Sequence, residues 1–343
     1  MSILLRRPPS KQYEPESDRS VGRVQLSLFL DPQEGMTYEQ LAAAARRAED
    51  EGFHGVYRSD HLMSTAGRHD RAATEAWSTL AGLARETHRL RLGTLVTPIA
   101  FRHPSLYAKI IGTVDEMSRG RVDVSIGTGW YRPEHELLGF GFPPLSERFA
   151  TLEEYLKVLV KLWDDSGDGY TGTRFRVDSV HARPLTVRRP RPWLILGGHG
   201  RKRTPPLAAR YADEFNVDWP SPQQCRELFD IAATHCVEFE RDPATLRRSV
   251  LLGAIVGADE RDTELRFLQG MTFFGIEDPQ QWRAQAGPGW TVGTTAALAH
   301  RLGEYADARV EHVILMLLPG DDLDMISLVA RDVFPAISHE VPA

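Results

Sequence analysis

The chain has 343 residues, enough for one large α/β barrel or for two ordinary domains of about 150 residues each. Hydrophobic residues make up 42% and charged residues 26%, close to the averages of soluble globular proteins, which excludes disordered and fibrous classes. The 41 basic and 47 acidic residues give a formal charge of −6, without the basic excess that binding to phosphate backbones leaves, so nucleic acid is not an expected partner.

At the start of the chain, Ile3, Leu4 and Leu5 are interrupted by Arg6, Arg7, Pro8 and Pro9 before a signal-peptide core forms. Residues 1–20 are therefore expected to be a flexible tail ahead of a single domain over 21–343. The apolar run Val313 to Leu318 is far short of the roughly 18 residues that cross a bilayer, so no membrane partner is expected. The two cysteines, Cys225 and Cys236, fall on one predicted helix and fit neither a disulfide framework nor a metal spacing. They read as reduced thiols of a cytoplasmic protein.

From residue 24 onward, short β-branched or apolar runs alternate with stretches of helical periodicity. Predicted strands begin near Val24, Gly55, Arg91, Arg121, Trp193, Glu214, Val250 and His312. The first helix runs from Thr37 to Glu51, with Leu41, Ala44, Ala45 and Ala48 on one face, Thr37 and Gln40 as a capping box, and Gly52 as its stop. Early strand starts are spaced by 31, 36 and 30 residues, a unit length that implies parallel strands joined by helical crossovers, in a barrel or a doubly wound sheet. Gaps of 72 residues after strand 4 and 62 after strand 7 mark insertions. The first carries a helix from Leu145 to Trp163 and a predicted hairpin over Tyr170 to Val187; the second is the Gly/Pro-rich segment Phe273 to Val292.

Function in such folds sits at the C-terminal ends of the strands. Strand 2 runs into Asp60 and His61, which read either as a proton-transfer pair or as a turn cap beside a satisfied histidine. Strand 3 ends in Leu95, Val96 and Thr97. Strand 4 ends in Gly127, Thr128, Gly129 and Trp130, where glycines admit a flat ligand and the indole covers one face of it. After strand 5, Gly197, Gly198, His199, Gly200 and Arg201 lead into a helix, a turn whose backbone N–H groups and helix start suit a phosphate. No metal is expected, because the histidines are scattered, and no nucleophile elbow, P-loop or Rossmann fingerprint occurs.

The ordered set Ser59-Asp60-His61, Arg102-His103-Pro104, Gly127-Thr128-Gly129 through Glu134, Glu147-Arg148-Phe149 and Leu196-Gly197-Gly198 resembles the luciferase-like monooxygenase superfamily. Within that superfamily it resembles the coenzyme F420-dependent oxidoreductases, over residues 22 to 335. The resemblance implies a (β/α)8 TIM barrel with insertions after strands 4 and 7. It also implies a non-prolyl cis peptide at Leu95-Val96 behind the bound ring, and a cofactor phosphate held by Gly197, Gly198 and their neighbours. His61 and Asp60 would line the reactive side. Dehydrogenases of the group carry a Glu directly after the strand 4 glycine as proton donor, whereas Trp130 stands there in this chain. That leaves Glu134, His135 or Glu136 to bring a proton carrier from the insertion.

The reading that follows is hydride transfer between coenzyme F420 and a hydrophobic organic substrate. Its alternative is an FMN-dependent monooxygenase supplied by a separate flavin reductase, and a third is a non-catalytic flavin-binding subunit. A homodimer is what the resemblance implies. Trp130, Tyr131, Phe140, Phe142, Phe273, Phe274, Trp282 and Trp290 in the insertions point to a hydrophobic small-molecule pocket.

Overall fold

Eight parallel strands close on themselves in the computed structural model, which describes residues 24–164, 166–178 and 183–337. They are β1 (Gln25–Leu30), β2 (Gly55–Arg58), β3 (Arg91–Thr94), β4 (Val122–Gly127), β5 (Trp193–Gly197), β6 (Glu214–Asp218), β7 (Arg247–Gly257) and β8 (His312–Leu317). Each pairs with the next, and β8 returns to β1 with Leu26 opposite Val313 and Leu28 opposite Leu315. An open doubly wound sheet has no such closing pair, so the architecture is the (β/α)8 barrel. The tail expected over residues 1–20 lies outside the described residues. Among the described residues no helix is long and apolar enough to cross a membrane.

Burial on both faces explains why the strands read as almost continuous apolar runs. Along β8, Val313, Leu315 and Leu317 pack outward against the helices, while Ile314 and Met316 face the barrel interior with Phe29, Tyr57, Ile195 and Leu251. Below that apolar layer the interior is polar. His312 lies 2.9 Å from Glu214 and 2.8 Å from Ser27, and the Tyr57 hydroxyl donates to Asp123 at 2.7 Å. Burial would raise the Glu214 carboxyl, but His312 and Arg247 outweigh it and hold the group well below the usual range. The N-terminal end of the barrel is thus closed by mutually satisfied charges, and the open chemistry is left to the other end.

The helices follow their sequence signals. Tyr38–Asp50 starts on the capping box of Thr37 and Gln40, buries Leu41, Ala44, Ala45 and Ala48, and is followed by Gly52 at φ +87°. Leu145–Trp163 spans the predicted residues. Cys225 and Cys236 are buried and unpaired on the helix Pro222–Glu238.

Two expectations need correction. The hairpin pairs only Tyr170–Thr171 with Arg176–Val177, and residues 179–182 are not described. Its expected second arm instead leans on the helix Pro104–Ser118, where Lys109 donates to the Arg183 carbonyl and the Val187 amide donates to Asp115 at 2.6 Å. The second insertion ends in an unpredicted strand, Trp290–Thr294, beside the outer half of β7. β7 is long enough to pair with β6 through Leu251 and then, from Gly253, with this extra strand.

Candidate functional site

The inward row of side chains reaches the C-terminal rim as Leu95 on the β3 side, Gly127 at the end of β4 and Gly197 at the end of β5. The Leu95-Val96 peptide is cis, and the chain then resumes pairing at Thr97–Pro98 beside Ile126 and Gly127. Val96 directs its two methyl groups at the glycines: a Cβ built on Gly127 would lie 2.7 Å from Val96 Cγ2, and one on Gly197 would lie 2.7 Å from Val96 Cγ1. Three strand ends therefore meet in a flat apolar floor that only glycines allow. Gly197→Ala is expected to displace Val96, destabilise the fold by about 1–3 kcal/mol and weaken binding of a ring-shaped cofactor. Denaturant unfolding and a cofactor titration check this, and an unchanged pair of values would show that the floor tolerates a side chain there.

Asp60 and His61 follow β2 but do not form a pair. Asp60 is buried, accepts from Thr97 Oγ1 at 2.6 Å, and is gripped by the Arg102 guanidinium at 2.6 and 3.0 Å. Thr97 also meets Thr94 at 2.9 Å and Trp77 Nε1 at 3.3 Å, so its side chain points into the wall. Asp60 thus ties the β2 end to the cis segment. With its oxygens engaged, it is an anchor, and the imidazole beside it is the group with proton-transfer chemistry.

His61 Nδ1 lies 2.9 Å from Glu134 Oε2, across 73 residues of chain. The other Glu134 oxygen accepts from the Leu62 backbone N–H. Trp130 and Tyr131 stand edge-on to the imidazole, with ring centroids at 5.6 and 6.3 Å. Asp31, next in the inward row of β1, is electrostatically coupled to His61; burial pushes its carboxyl above the ordinary range against opposing effects of Gln33, His61 and Ser59. One imidazole and one carboxylate from distant parts of the chain therefore meet on this side of the rim.

Thr128 and Gly129 turn away from β4 with Gly129 at φ +78°. Arg148, from the helix Leu145–Trp163, donates to the Gly129 carbonyl and lies 3.8 Å from the centre of the Phe142 ring. Trp130 is 67% exposed, so its outer face is open to whatever enters the mouth.

Opposite the histidine, the β5 turn opens. Gly198 has φ +144° and its N–H is taken by the Asn216 carbonyl at 3.0 Å. His199 lies 3.0 Å from Asp218, which raises its pKa, and Arg201 bonds Glu227 at 2.8 Å. Gly200 has no tight neighbour. A cleft of about 350 Å³ adjoins the turn, lined by His199, Arg201, Asp218 and Trp219 among others. The helix that follows, Thr204–Tyr211, carries Pro205 and Pro206 in its first turn. Prolines have no N–H, so the helix start offers fewer donors than the glycine-turn reading expects, and anion recognition rests on the turn amides and neighbouring cations.

The expected cofactor residues thus form two groups: the floor of Leu95, Val96, Gly127 and Gly197 with the Gly129-Trp130 turn, and the Gly198-to-Arg201 turn beyond it. Sequence reasoning missed Asp31 and the partnership of Asp60 with Arg102. The period-2 alternation of β1, inward at Ser27 and Phe29, is the signal that finds Asp31.

Closed strand order, polar base and a site at the C-terminal strand ends define a (β/α)8 barrel of the ligand-binding kind. The chain belongs to the luciferase-like monooxygenase family, whose profile matches residues 22–315. It is 30% identical over 297 residues to an F420-dependent hydroxymycolic acid dehydrogenase of Mycobacterium tuberculosis, covering 83% of this chain and 79% of that one. It is 26% identical over 220 residues to an FMNH2-dependent dimethylsulfone monooxygenase of Pseudomonas fluorescens, covering 64% and 57%. An F420-dependent secondary alcohol dehydrogenase solved with an F420-acetone adduct superposes with a TM-score of 0.78 at 22% identity, over 92% of this chain and all of that one, which supports the fold.

Proposed function

We propose that this chain is a coenzyme F420-dependent oxidoreductase that transfers hydride to or from a hydrophobic organic substrate. The observation that carries the reading is the flat floor of Val96 packed between Gly127 and Gly197, where a Cβ at either glycine would meet a Val96 methyl at 2.7 Å, with His61 at its rim. A planar tricyclic ring fits such a floor, and the Gly198-to-Arg201 turn is the place for its phosphate. When bound, the deazaflavin supplies two-electron hydride chemistry.

The protein's part is proton handling and exclusion of water. If the substrate is an alcohol, the carbon–hydrogen bond leaves as hydride and the hydroxyl proton needs an acceptor. His61 is that acceptor in oxidation and the donor in reduction. The substrate side is apolar: Trp130 is 67% and Leu137 66% exposed at the mouth, while Phe274, Trp282 and Trp290 pack against the interior cluster of Phe267 and Met271. Such a lining favours a long or bulky hydrocarbon portion next to the reacting carbon.

The FMN-dependent monooxygenase reading, with a separate flavin reductase, draws on the dimethylsulfone monooxygenase likeness. That likeness has lower identity and coverage than the dehydrogenase one. Oxygen separates the two. Turnover of long-chain secondary alcohols with F420 is expected to proceed equally with and without dioxygen. Product formation only with reduced FMN and dioxygen would replace the dehydrogenase by the monooxygenase.

A further inference from the structure

We propose that Glu134 is the positioning carboxylate of the site: it holds the neutral His61 ring with its proton on Nδ1 and so presents a bare Nε2 to the substrate. An ionised carboxylate only accepts hydrogen bonds, so the nitrogen 2.9 Å from its Oε2 must carry the hydrogen. Its Oε1 is committed to the backbone N–H of Leu62. The two oxygens therefore grip two successive residues, one through its side chain and the next through its backbone. That fork fixes both the tautomer and the direction of the imidazole.

Glu134 is itself set in place. It sits in the short helix Arg132–Leu137, in which Glu134 and His135 are the buried residues. His135 fills the space that Gly129 leaves, since a Cβ there would lie 2.7 Å from its Nε2, and its Nδ1 is 3.2 Å from the Gly141 carbonyl. Phe101 and Phe142 flank that ring at 5.2 and 5.0 Å. His135 thus wedges the helix against the β4 turn and fixes Glu134 where it meets His61. A carboxylate buried at this cost of desolvation, with both oxygens aimed at the residue pair after β2, is more than the loop connection requires.

The proposal rests on the hydride-transfer reading only for its effect on turnover; the tautomer does not depend on any cofactor. The test uses the full chain with 15N-labelled histidine. Long-range proton–nitrogen spectra are recorded above the titration range of the rings, and His61 is assigned by its loss in His61→Gln. The native chain should show His61 protonated on Nδ1. In Glu134→Gln the Leu62 N–H keeps the amide oxygen, so the amide NH2 faces Nδ1 and the ring proton should move to Nε2. Turnover should then fall by at least about tenfold, with the cofactor dissociation constant changed less than about twofold.

A native His61 protonated on Nε2 overturns the proposal without any variant. So does a Glu134→Gln chain that keeps the Nδ1–H form or full turnover. The predicted tautomer change in a chain that turns over nothing with F420 leaves the proposal standing and counts against the hydride-transfer reading instead.

Discussion

His61→Ala is expected to lower turnover by at least about a hundredfold while cofactor affinity changes less than about threefold. The imidazole, held through Nδ1 by Glu134, is the group at this side of the rim with proton-transfer chemistry. Losing it removes proton transfer and leaves the floor of Val96, Gly127 and Gly197 intact, so ligand binding should survive. A single-turnover assay beside a binding titration separates the two quantities. Unchanged turnover would remove His61 from the reaction, and a large loss of binding would make it a cofactor-holding residue.

The largest stability effect should come from Arg102→Met. Arg102 is 8% exposed, its partner Asp60 is fully buried, and the guanidinium also reaches Glu75. Burial acts against the Arg102 charge, but Asp60 and Glu75 more than offset it and raise its pKa; the Glu75 carboxyl, in turn, is drawn down to about 2 although burial opposes it, through Ser78 and Arg102. Removing the cation leaves the buried Asp60 with Thr97 as its side-chain donor among the described residues. The expected cost is about 3–5 kcal/mol, read from denaturant unfolding. Cofactor affinity should fall as well, because Asp60 and Thr97 brace the segment that carries Val96. A loss below about 1 kcal/mol would mean that the pair is solvated in practice and does not brace the site.

Much of the frame was legible in the residues. Alternating β-branched runs and helical stretches marked all eight barrel strands, each starting within three residues of its expected position. Period alone could not separate a barrel from an open sheet, because that choice is made by the pairing of β8 with β1 across the whole chain. The strand Trp290–Thr294 escaped notice because it is short, holds Gly293 and gains its stability from the overhanging end of β7. At the site, the glycines and the histidine announced themselves by residue type. The partnerships were less legible: Glu134 was one of three candidates from the insertion and Arg102 an ordinary charged residue until the fold carries them across 73 and 42 positions to His61 and Asp60. Asp60, which adjacency to His61 suggested as a proton carrier, became an anchor because a buried carboxylate goes to the nearest fixed cation.

The most direct measurement is an anaerobic titration of the full chain with oxidised coenzyme F420 and with FMN in parallel, followed by ligand fluorescence and tryptophan quenching. Trp130 at the mouth and Trp219 beside the β5 turn provide the reporters. Tight F420 binding with weak FMN binding is the predicted result. Preference for FMN would contradict the hydride-transfer account and make the monooxygenase reading the working one, and failure of both to bind would contradict the cofactor site itself.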